Sequence, residues 1–337
     1  MNPKENALRV IHFDHPEHVM TGAPLHRVAY RGCNHEGYTG GVRSYTNVHH
    51  LPVGSSWLDI WGTTWRRSHP GVMGFPVGNP LADLVAGLKT FHPPDPDDER
   101  LCSLIYQQAE NWDREQTFLT GSHRDTLWEK SYMLVGMENM MCYFLSEPEA
   151  VRKLLHRIMD FQLGIARHYL KIGVEMVELG DDLGTQSRLL LSPRVIHEFL
   201  VPEYRRLCDL YREHGVLIHF HSCGHITPLL ETFIALGVNI LNPIQGTANN
   251  LDEVRRITLG RMALHGGVRS ATMVSGPQEA IRLEVAERLW QLGRQGGYFC
   301  CPDQAMPWPE EHYRAMEETV EELGRYPLLE PKKETSA

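Results

Sequence analysis

The sequence predicts an α/β fold, a (β/α)8 TIM barrel with an N-terminal extension of about 100 residues. Short apolar runs alternate with amphipathic segments from about residue 110 to about residue 325, which is typical of parallel βαβ units. Polar clusters follow the predicted strands, where a barrel carries its functional residues. A doubly wound sheet is the alternative, but no Gly-x-Gly-x-x-Gly turn follows a predicted strand. We therefore expect residues 1–337 to form a single barrel domain.

The N-terminal region has a less regular pattern than the rest of the chain. Residues 3–11 have apolar positions at helical spacing and predict a short amphipathic helix, and residues 24–30 favour a first strand. Trp57, Trp61 and Trp65 recur at every fourth residue, which is helical spacing. These tryptophans predict either core packing or an aromatic wall over a substrate pocket.

The regular part of the chain alternates between strands and helices. The predicted strands are 117–121, 174–180, 216–221, 238–242, 262–266 and 298–301. The predicted helices are 128–145, 147–172, 192–214, 227–236, 250–258, 277–295 and 309–324. Ser192 and Pro193 are a typical N-cap and first helical residue.

Composition excludes several classes of function. The net charge of −9 argues against a nucleic-acid surface, which needs basic patches. No run of about 18 apolar residues predicts a membrane span, and the first residues lack the apolar core of a signal peptide. Seven cysteines, an odd number, favour a reducing compartment over a disulfide framework. We therefore expect a cytoplasmic protein.

The stretch from Val216 to Pro228 carries the strongest chemical signal. An apolar run ends in His219, His221, Cys223 and His225. His221 and Cys223 are two residues apart, so in an extended backbone their side chains point to the same side. An imidazole beside a thiolate is half of a metal site, and zinc is the usual metal for such ligands. A buried thiol beside surface histidines is the structural alternative.

Four motifs resemble the uroporphyrinogen decarboxylase superfamily. They are Phe-His-Ser-Cys-Gly at 220–224, Leu-Gly-Val-Asn-Ile-Leu-Asn-Pro-Ile-Gln at 236–245, His-Gly-Gly at 265–267 and Gly-Gly-Tyr at 296–298. The decarboxylase branch uses an Arg-rich N-terminal motif and no metal, and residues 27–33 depart from that motif. The chain is more similar to the zinc-dependent, corrinoid-linked methyltransferase branch.

The resemblance implies a ligand set of His-x-Cys and a cysteine far downstream. His221 and Cys223 match the first half. In the methanogen coenzyme M enzymes the late cysteine would fall at about Gln304, whereas this chain has Cys300 and Cys301 slightly earlier. Adjacent strand residues face opposite ways, so we expect only one of these two cysteines to bind metal.

Further site residues are expected around this ligand set. Glu178 or the Asp181–Asp182 pair would supply an oxygen ligand or orient His221, although these acids also suit helix capping. The residues expected to act in catalysis are His221, Asp182 and His265. The residues expected to line the cofactor and substrate pocket are Asn242, Gln245, Trp61 and Tyr204.

The resemblance implies an enzyme that moves a methyl group. The segments 181–184 and 302–303 look like those of bacterial methyltransferases that demethylate aryl methyl ethers, with Zn²⁺ in the site and a corrinoid (cobalamin) carried by a partner protein. A small-molecule methyl donor, no nucleic acid and no membrane complete this expectation, and a homodimer is one oligomeric state that the sequence allows. The alternatives are a corrinoid-to-thiol methyltransferase, a metal-free decarboxylase-like lyase and a barrel that only binds a corrinoid protein.

Overall fold

The computed structural model describes residues 1–35, 37–39, 44–46, 51–69 and 74–331. The strands are β1 Leu25–Val28, β2 Gly37–Thr39, β3 Ser44–Thr46, β4 Ser56–Leu58, β5 Thr64–Arg66, β6 Phe75–Gly78, β7 Phe118–His123, β8 Met176–Gly180, β9 Leu217–His221, β10 Ile240–Ile244, β11 Ala263–Val268 and β12 Tyr298–Pro302. The α-helices are α1 Pro3–His12, α2 Leu84–Gly87, α3 Glu99–Gln108, α4 Trp128–Val135, α5 Met137–Ser146, α6 Pro148–Ile172, α7 Pro193–Val195, α8 Val201–Glu213, α9 Leu230–Leu236, α10 Leu251–Thr258, α11 Ser270–Ser275, α12 Gln278–Arg288 and α13 Glu310–Leu323.

The main sheet is a curled parallel sheet of seven strands, in the order β1-β7-β8-β9-β10-β11-β12. The prediction of parallel βαβ units is confirmed, but a closed eight-stranded barrel is not, because the described strands supply seven members. The residues before β1 add one isolated parallel bridge to the far edge, between Met20 and Phe299. Pro24 cannot donate a ladder hydrogen bond, so a regular strand does not extend back from β1 to Met20.

Helix α1 closes the amino-terminal end of this sheet. Its buried Ala7, Val10 and Ile11 pack in one apolar cluster with residues near the starts of five strands, which are Phe118, Met176, Ile240, Ala263 and Phe299. The opposite end, where the strands finish, is not filled by this cluster. The carboxyl ends of the strands are therefore free to carry polar side chains.

Two of the predicted helices contain local breaks that the sequence explains. The predicted helix 128–145 is divided into α4 and α5 at Gly136, whose φ of +92° is outside the helical region. The predicted helix 192–214 begins as expected, with Ser192 Oγ accepting from the Val195 N–H at 3.3 Å. Residues Ile196–Leu200 are then π-helical. Pro202 lacks the N–H that a continuous α-helix would use, which accounts for the change.

A second sheet of five antiparallel strands, in the order β3-β2-β4-β5-β6, occupies the N-terminal region. The helical spacing of the tryptophans was misleading here. Trp57 and Trp65 face each other across β4 and β5, and Trp61 lies in the turn between them. Asp59 fixes this turn, because its carboxylate accepts from the N–H groups of Trp61 and Thr63 at 2.8 and 2.9 Å.

His35 joins the antiparallel sheet to the parallel one. Its ring stacks on Trp65 with centroids 4.0 Å apart, and its carbonyl accepts from Trp57 Nε1 at 2.7 Å. Its Nε2 lies 2.6 Å from the carboxylate of Asp125, which follows β7. Both His35 and Asp125 are buried. The two sheets therefore meet through polar contacts as well as apolar packing.

None of the helices in the described part of the chain has a run of apolar residues long enough to cross a membrane.

Candidate functional site

Two neighbouring strands end beside each other and position the centre of the site. In the pairing of β8 with β9, Gly180 lies opposite His221. Asp181 and Asp182 follow β8 directly, and Cys223 follows β9 by two residues. Parallel strands bring their carboxyl ends to one edge of a sheet, so the side chains at these two strand ends meet.

Asp182, His221 and Cys223 form a compact group of potential metal ligands. One ligand atom from each residue lies within 4.8 Å of the other two. His221 Nε2 is 3.4 Å from Asp182 Oδ1 and 3.4 Å from Cys223 Sγ. Nitrogen, thiolate sulfur and carboxylate oxygen are the ligands that zinc uses in proteins. The chemistry of this group therefore fits zinc.

The imidazole of His221 is held in place from its other side. Its Nδ1 lies 2.8 Å from Asn242 Oδ1, so the Nδ1–H donates to the amide oxygen when Nε2 is free for a cation. Asn242 belongs to β10, the next strand of the sheet. This arrangement directs Nε2 toward Asp182 and Cys223.

The backbone around Cys223 is also fixed. The Cys223 N–H donates to Asp182 Oδ1 at 2.9 Å, and the Gly224 N–H donates to the side-chain oxygen of Gln245. Gly224 has a φ of +86°, and a Cβ at this position would lie 2.4 Å from the backbone of Gly184. Only glycine allows the two loops to approach this closely. Gln245 thus acts on the loop and is not among the residues that line the cavity described below.

The acid and the imidazole stabilise each other's charged forms. Burial opposes a charge on His221, but Asp182 and Cys223 outweigh it and raise the pKa of His221 well above its usual value. Burial also opposes ionisation of Asp182, but His221 and the Cys223 N–H lower the pKa of this carboxyl. The position beside Nε2 therefore favours a positive charge, whether a proton or a metal cation.

Asp181 has a different role from its neighbour. It is fully buried, and its carboxylate accepts from the N–H groups of Leu127 and Glu129 at 2.8 and 2.7 Å. Tyr204 donates to it at 2.6 Å. Asp181 therefore caps the start of α4, and Tyr204, which is itself buried, supports this cap instead of lining a pocket.

The remaining predicted ligands lie outside the group. Among the described residues Cys300, Cys301 and Glu178 do not join Asp182, His221 and Cys223 within the 4.8 Å limit. Cys300 is fully buried in the main core cluster, whereas its neighbour Phe299 packs inside the sheet, so Cys300 faces the helices. Cys301 Sγ contacts the carbonyl of Pro302 at 3.3 Å. Asp182, and not a late cysteine, is therefore the third residue of this group of potential ligands.

Glu178 is engaged by a cation instead. Arg27, in β1, donates from Nε and Nη2 to the two carboxylate oxygens of Glu178 at 2.7 and 3.0 Å. This bidentate pair ties β1 to β8 across the intervening strand β7. Glu178 is therefore held away from the ligand group.

A cavity of about 620 Å³ opens beside the ligand group. Its described lining includes Asp182, His221 and Asn242 from the strand ends. Its apolar walls are provided by Trp65, Phe75, Pro76, Tyr132, Met133 and Leu179. Aromatic walls with a few polar groups are typical of small-molecule sites. The aromatic-wall interpretation thus fits Trp65, whereas Trp61 is a buried core residue packed against Phe161.

His219 and His265 form a second, buried pair of imidazoles. His265 Nδ1 is 3.5 Å from His219 Nε2, and burial lowers the pKa of each ring to about 3. His219 lines the cavity, and its Nδ1 has no hydrogen-bond partner among the described residues. His265, the predicted catalytic residue, does not belong to the described lining of the cavity. His225 contacts the carbonyl of Ala248 at 2.7 Å and supports a loop.

Sequence analysis did not single out Arg124, Glu129 and Tyr132, which line the same cavity. These residues follow β7 or lie in α4, and no motif marks them. A signal was present, because Arg124 and Asp125 come within four residues of the end of the predicted strand 117–121, the region where a barrel carries functional residues.

Comparisons with known proteins agree with this architecture. The sequence model of the family described as uroporphyrinogen decarboxylase (URO-D) matches residues 86–323. Among solved structures, a methyltransferase from Methanosarcina mazei is 15% identical with a TM-score of 0.70, and the match covers 96% of this chain and 99% of that chain. This likeness shows a shared fold.

A weaker match is a B12-independent methionine synthase from Shewanella sp. W3-18-1 in complex with selenomethionine. It is 12% identical with a TM-score of 0.32, and the match covers 65% of this chain and 63% of that chain. A TM-score this low does not define a common fold. Comparison with curated protein sequences gives no significant match.

Proposed function

We propose that this chain, which belongs to the uroporphyrinogen decarboxylase family, is a zinc-dependent methyltransferase that moves a methyl group from an aryl methyl ether to the Co(I) of a corrinoid protein. The observation that carries the proposal is the group formed by Asp182, His221 and Cys223 beside a cavity with aromatic walls. A thiol and an imidazole 3.4 Å apart favour a metal site over a metal-free lyase.

The residues of this group fit zinc in number and in type. Catalytic zinc sites commonly have three protein ligands and an open fourth position. A bound Zn²⁺ would act as a Lewis acid on the ether oxygen and stabilise the negative charge that develops there as the carbon–oxygen bond breaks. Asn242 would fix the orientation of His221 toward the cation, as outer hydrogen-bond partners do in zinc proteins.

The cavity supports an aromatic donor. Trp65 and Phe75 come from the antiparallel sheet, whereas Tyr132 and Met133 come from α4, so apolar side chains approach the cavity from two elements. An aromatic ring held between such walls would present its ether oxygen to the ligand group. In the transfer the methyl carbon leaves oxygen, which keeps the bonding electron pair, and Co(I) supplies the pair for the new bond.

Two measurements test this proposal together. The first is the zinc content of purified protein, for which we expect about one zinc per chain and about tenfold less in the Cys223→Ala variant. The second mixes zinc-loaded protein with cob(I)alamin and a panel of methoxylated phenols, and follows methylcobalamin by absorbance. We expect methylation of cobalt by the wild type and none by Cys223→Ala.

The outcomes separate the competing functions. Zinc below about 0.2 per chain would contradict a resident metal and favour a decarboxylase-like lyase. Transfer from methylcobalamin to thiols, with none from phenyl ethers, would assign the chain to the corrinoid-to-thiol class. The Cys142→Ser variant is the matched control, because Cys142 is exposed on α5 and outside the group.

A further inference from the structure

Glu129 lines the same cavity as Asp182 and His221. It is the second residue of α4, and its N–H donates to Asp181 Oδ1 at 2.7 Å. This bond fixes the start of the helix, so the position of Glu129 relative to the strand ends is defined. The residue is part-buried and is free of the ligand group in the described structure.

The carboxyl of Glu129 has one hydrogen-bond partner. Tyr132, one turn further along α4, donates its hydroxyl to Glu129 Oε1 at 2.9 Å. Oε2 has no hydrogen-bond partner among the described residues. One carboxyl oxygen is therefore held by the protein and the other is available to a molecule in the cavity.

The surroundings of Glu129 disfavour a negative charge. Asp125 follows β7, Asp181 and Asp182 follow β8, and no cation of the described chain forms a salt bridge with Glu129. Burial, followed by Asp125, Asp181 and Asp182, raises the pKa of Glu129 to about 9. Arg124 shares the cavity, but its guanidinium contacts Asn34 Oδ1 at 3.4 Å. Near neutral pH, Glu129 is therefore a protonated carboxylic acid that can donate its proton.

A proton donor has a specific use in this cavity. The phenolate released from an aryl methyl ether has a basicity close to that of a tyrosine side chain, with a pKa of about 10. An acid whose own pKa lies near this value is well matched for transfer in the transition state. A phenolate left beside Asp125 and Asp182 would also be repelled by their negative charges.

We propose that Glu129 is the general acid that protonates the leaving oxygen, and this inference rests on the proposed methyl transfer. The carbon–oxygen bond breaks as its electron pair moves to oxygen, and the methyl group bonds to cobalt through the pair that Co(I) supplies. The proton of Glu129 Oε2 moves to the same oxygen, so phenol departs as a neutral molecule. Water then returns a proton to the Glu129 carboxylate.

The first test compares rates in zinc-loaded protein with cob(I)alamin as acceptor. We expect Glu129→Gln to slow demethylation of anisole about 100-fold or more, because the amide cannot replace the acid. Demethylation of 4-nitroanisole should change far less, since its phenolate is much less basic. A purely structural role of Glu129 would slow both donors equally, and equal losses would overturn the assignment.

The pH dependence provides a second readout. The wild-type rate should fall as pH rises through the pKa of Glu129. In the zinc-loaded protein this pKa should lie at or below about 9, because a nearby dication stabilises the carboxylate. Glu129→Gln should lack this fall. Tyr132→Phe removes a hydrogen bond that stabilises the charged form of Glu129, so it should shift this fall to higher pH.

Infrared spectroscopy tests the acid independently of turnover. In metal-free protein near neutral pH, the wild-type spectrum should contain the carbonyl stretch of a protonated carboxylic acid that Glu129→Gln lacks. Absence of this band would overturn the inference even if methyl transfer occurs. If the wild type has the band but transfers no methyl group, the proposed function is contradicted, and so is the catalytic role of Glu129 that depends on it.

Discussion

The side-chain amide of Gln304 lies 3.4 Å from Cys223 Sγ. Gln304 therefore occupies the place beside the ligand group where the resemblance to the coenzyme M enzymes expects a late cysteine, while Cys300 and Cys301 do not. The loop after β12 approaches the two strand ends with an amide, and the carboxylate of Asp182 is the third potential ligand in the group. The position of residue 304 beside Cys223 is thus the one that the resemblance expects, whereas the residue type at that position is different.

Replacing Gln304 by cysteine should strengthen metal binding. A thiolate at this position would add an ionised sulfur ligand next to Cys223, and zinc favours such ligands. We expect Gln304→Cys to bind zinc at least about tenfold more tightly, as measured by competition with a chelator. Gln304→Ser is the control, because its hydroxyl remains protonated. Equal affinities in the two variants would show that the loop does not reach the metal.

Replacing Cys223 by serine should remove most of the zinc. The serine hydroxyl is not ionised near neutrality, whereas a metal-bound thiolate is. Metal analysis should show at least about a tenfold weaker affinity, while Cys301→Ser retains zinc because Cys301 lies outside the ligand group. Loss of zinc from Cys301→Ser with retention in Cys223→Ser would reverse this assignment.

Replacing Asp181 by alanine should destabilise the fold without a direct effect on metal ligands. The substitution leaves two buried N–H groups, of Leu127 and Glu129, and the Tyr204 hydroxyl without their acceptor. Each such loss costs about 1–3 kcal/mol, so we expect the free energy of unfolding to fall by about 3 kcal/mol or more. Denaturant titration measures this change. Asp182→Asn, at a half-exposed position, should lower stability by less than about 1 kcal/mol, and a larger effect there than at Asp181 would contradict the division of roles.

Stability should decrease on the acid side because of His123. This fully buried ring contacts Gln162 Oε1 through Nδ1 and the Tyr211 hydroxyl through Nε2, and burial lowers its pKa from 6.5 to about 4. The unfolded chain therefore binds a proton that the folded chain does not between these values. Stability is retained above pH 6.5 and is lost as pH falls toward about 4, by about 1.4 kcal/mol per pH unit.

Unfolding titrations at about pH 7 and about pH 5 check this sign. His123→Gln should be less stable at both values but should lose less stability between them than the wild type. His156→Gln, which changes an exposed side chain, is the matched control. A steeper acid loss in His123→Gln would contradict the prediction.

The fold could be predicted where periodicity and strand-end chemistry agree. The six strands from β7 to β12, the cap at Ser192 and the His-x-Cys motif followed from local pattern. The antiparallel sheet could not, because Trp57, Trp61 and Trp65 have helical spacing in sequence but lie on two strands and the turn that Asp59 organises. The hydrogen bonds that the carboxylate of Asp59 accepts determine this geometry, and the spacing of residues in the sequence does not reveal them.

The acids of the site show a similar limit. Asp181 and Asp182 are adjacent and chemically identical, so their sequence gives no reason to separate a helix cap from a ligand. The direction in which each side chain leaves the end of β8 makes the difference. Glu129 could be recognised only after α4 had been placed beside three other acids, because its altered pKa depends on neighbours that are distant in sequence.

Two separate parts of the chain build the cavity and the ligand group beside it. The antiparallel sheet brings Trp65, Phe75 and Pro76, whereas the ligand group comes from the last residue of β9 and from the loops after β8 and β9. Substitutions in the antiparallel sheet can therefore change the shape of the cavity without replacing Asp182, His221 or Cys223. His35 connects these two parts, because its ring stacks on Trp65 of the antiparallel sheet and its Nε2 lies 2.6 Å from Asp125, which follows β7.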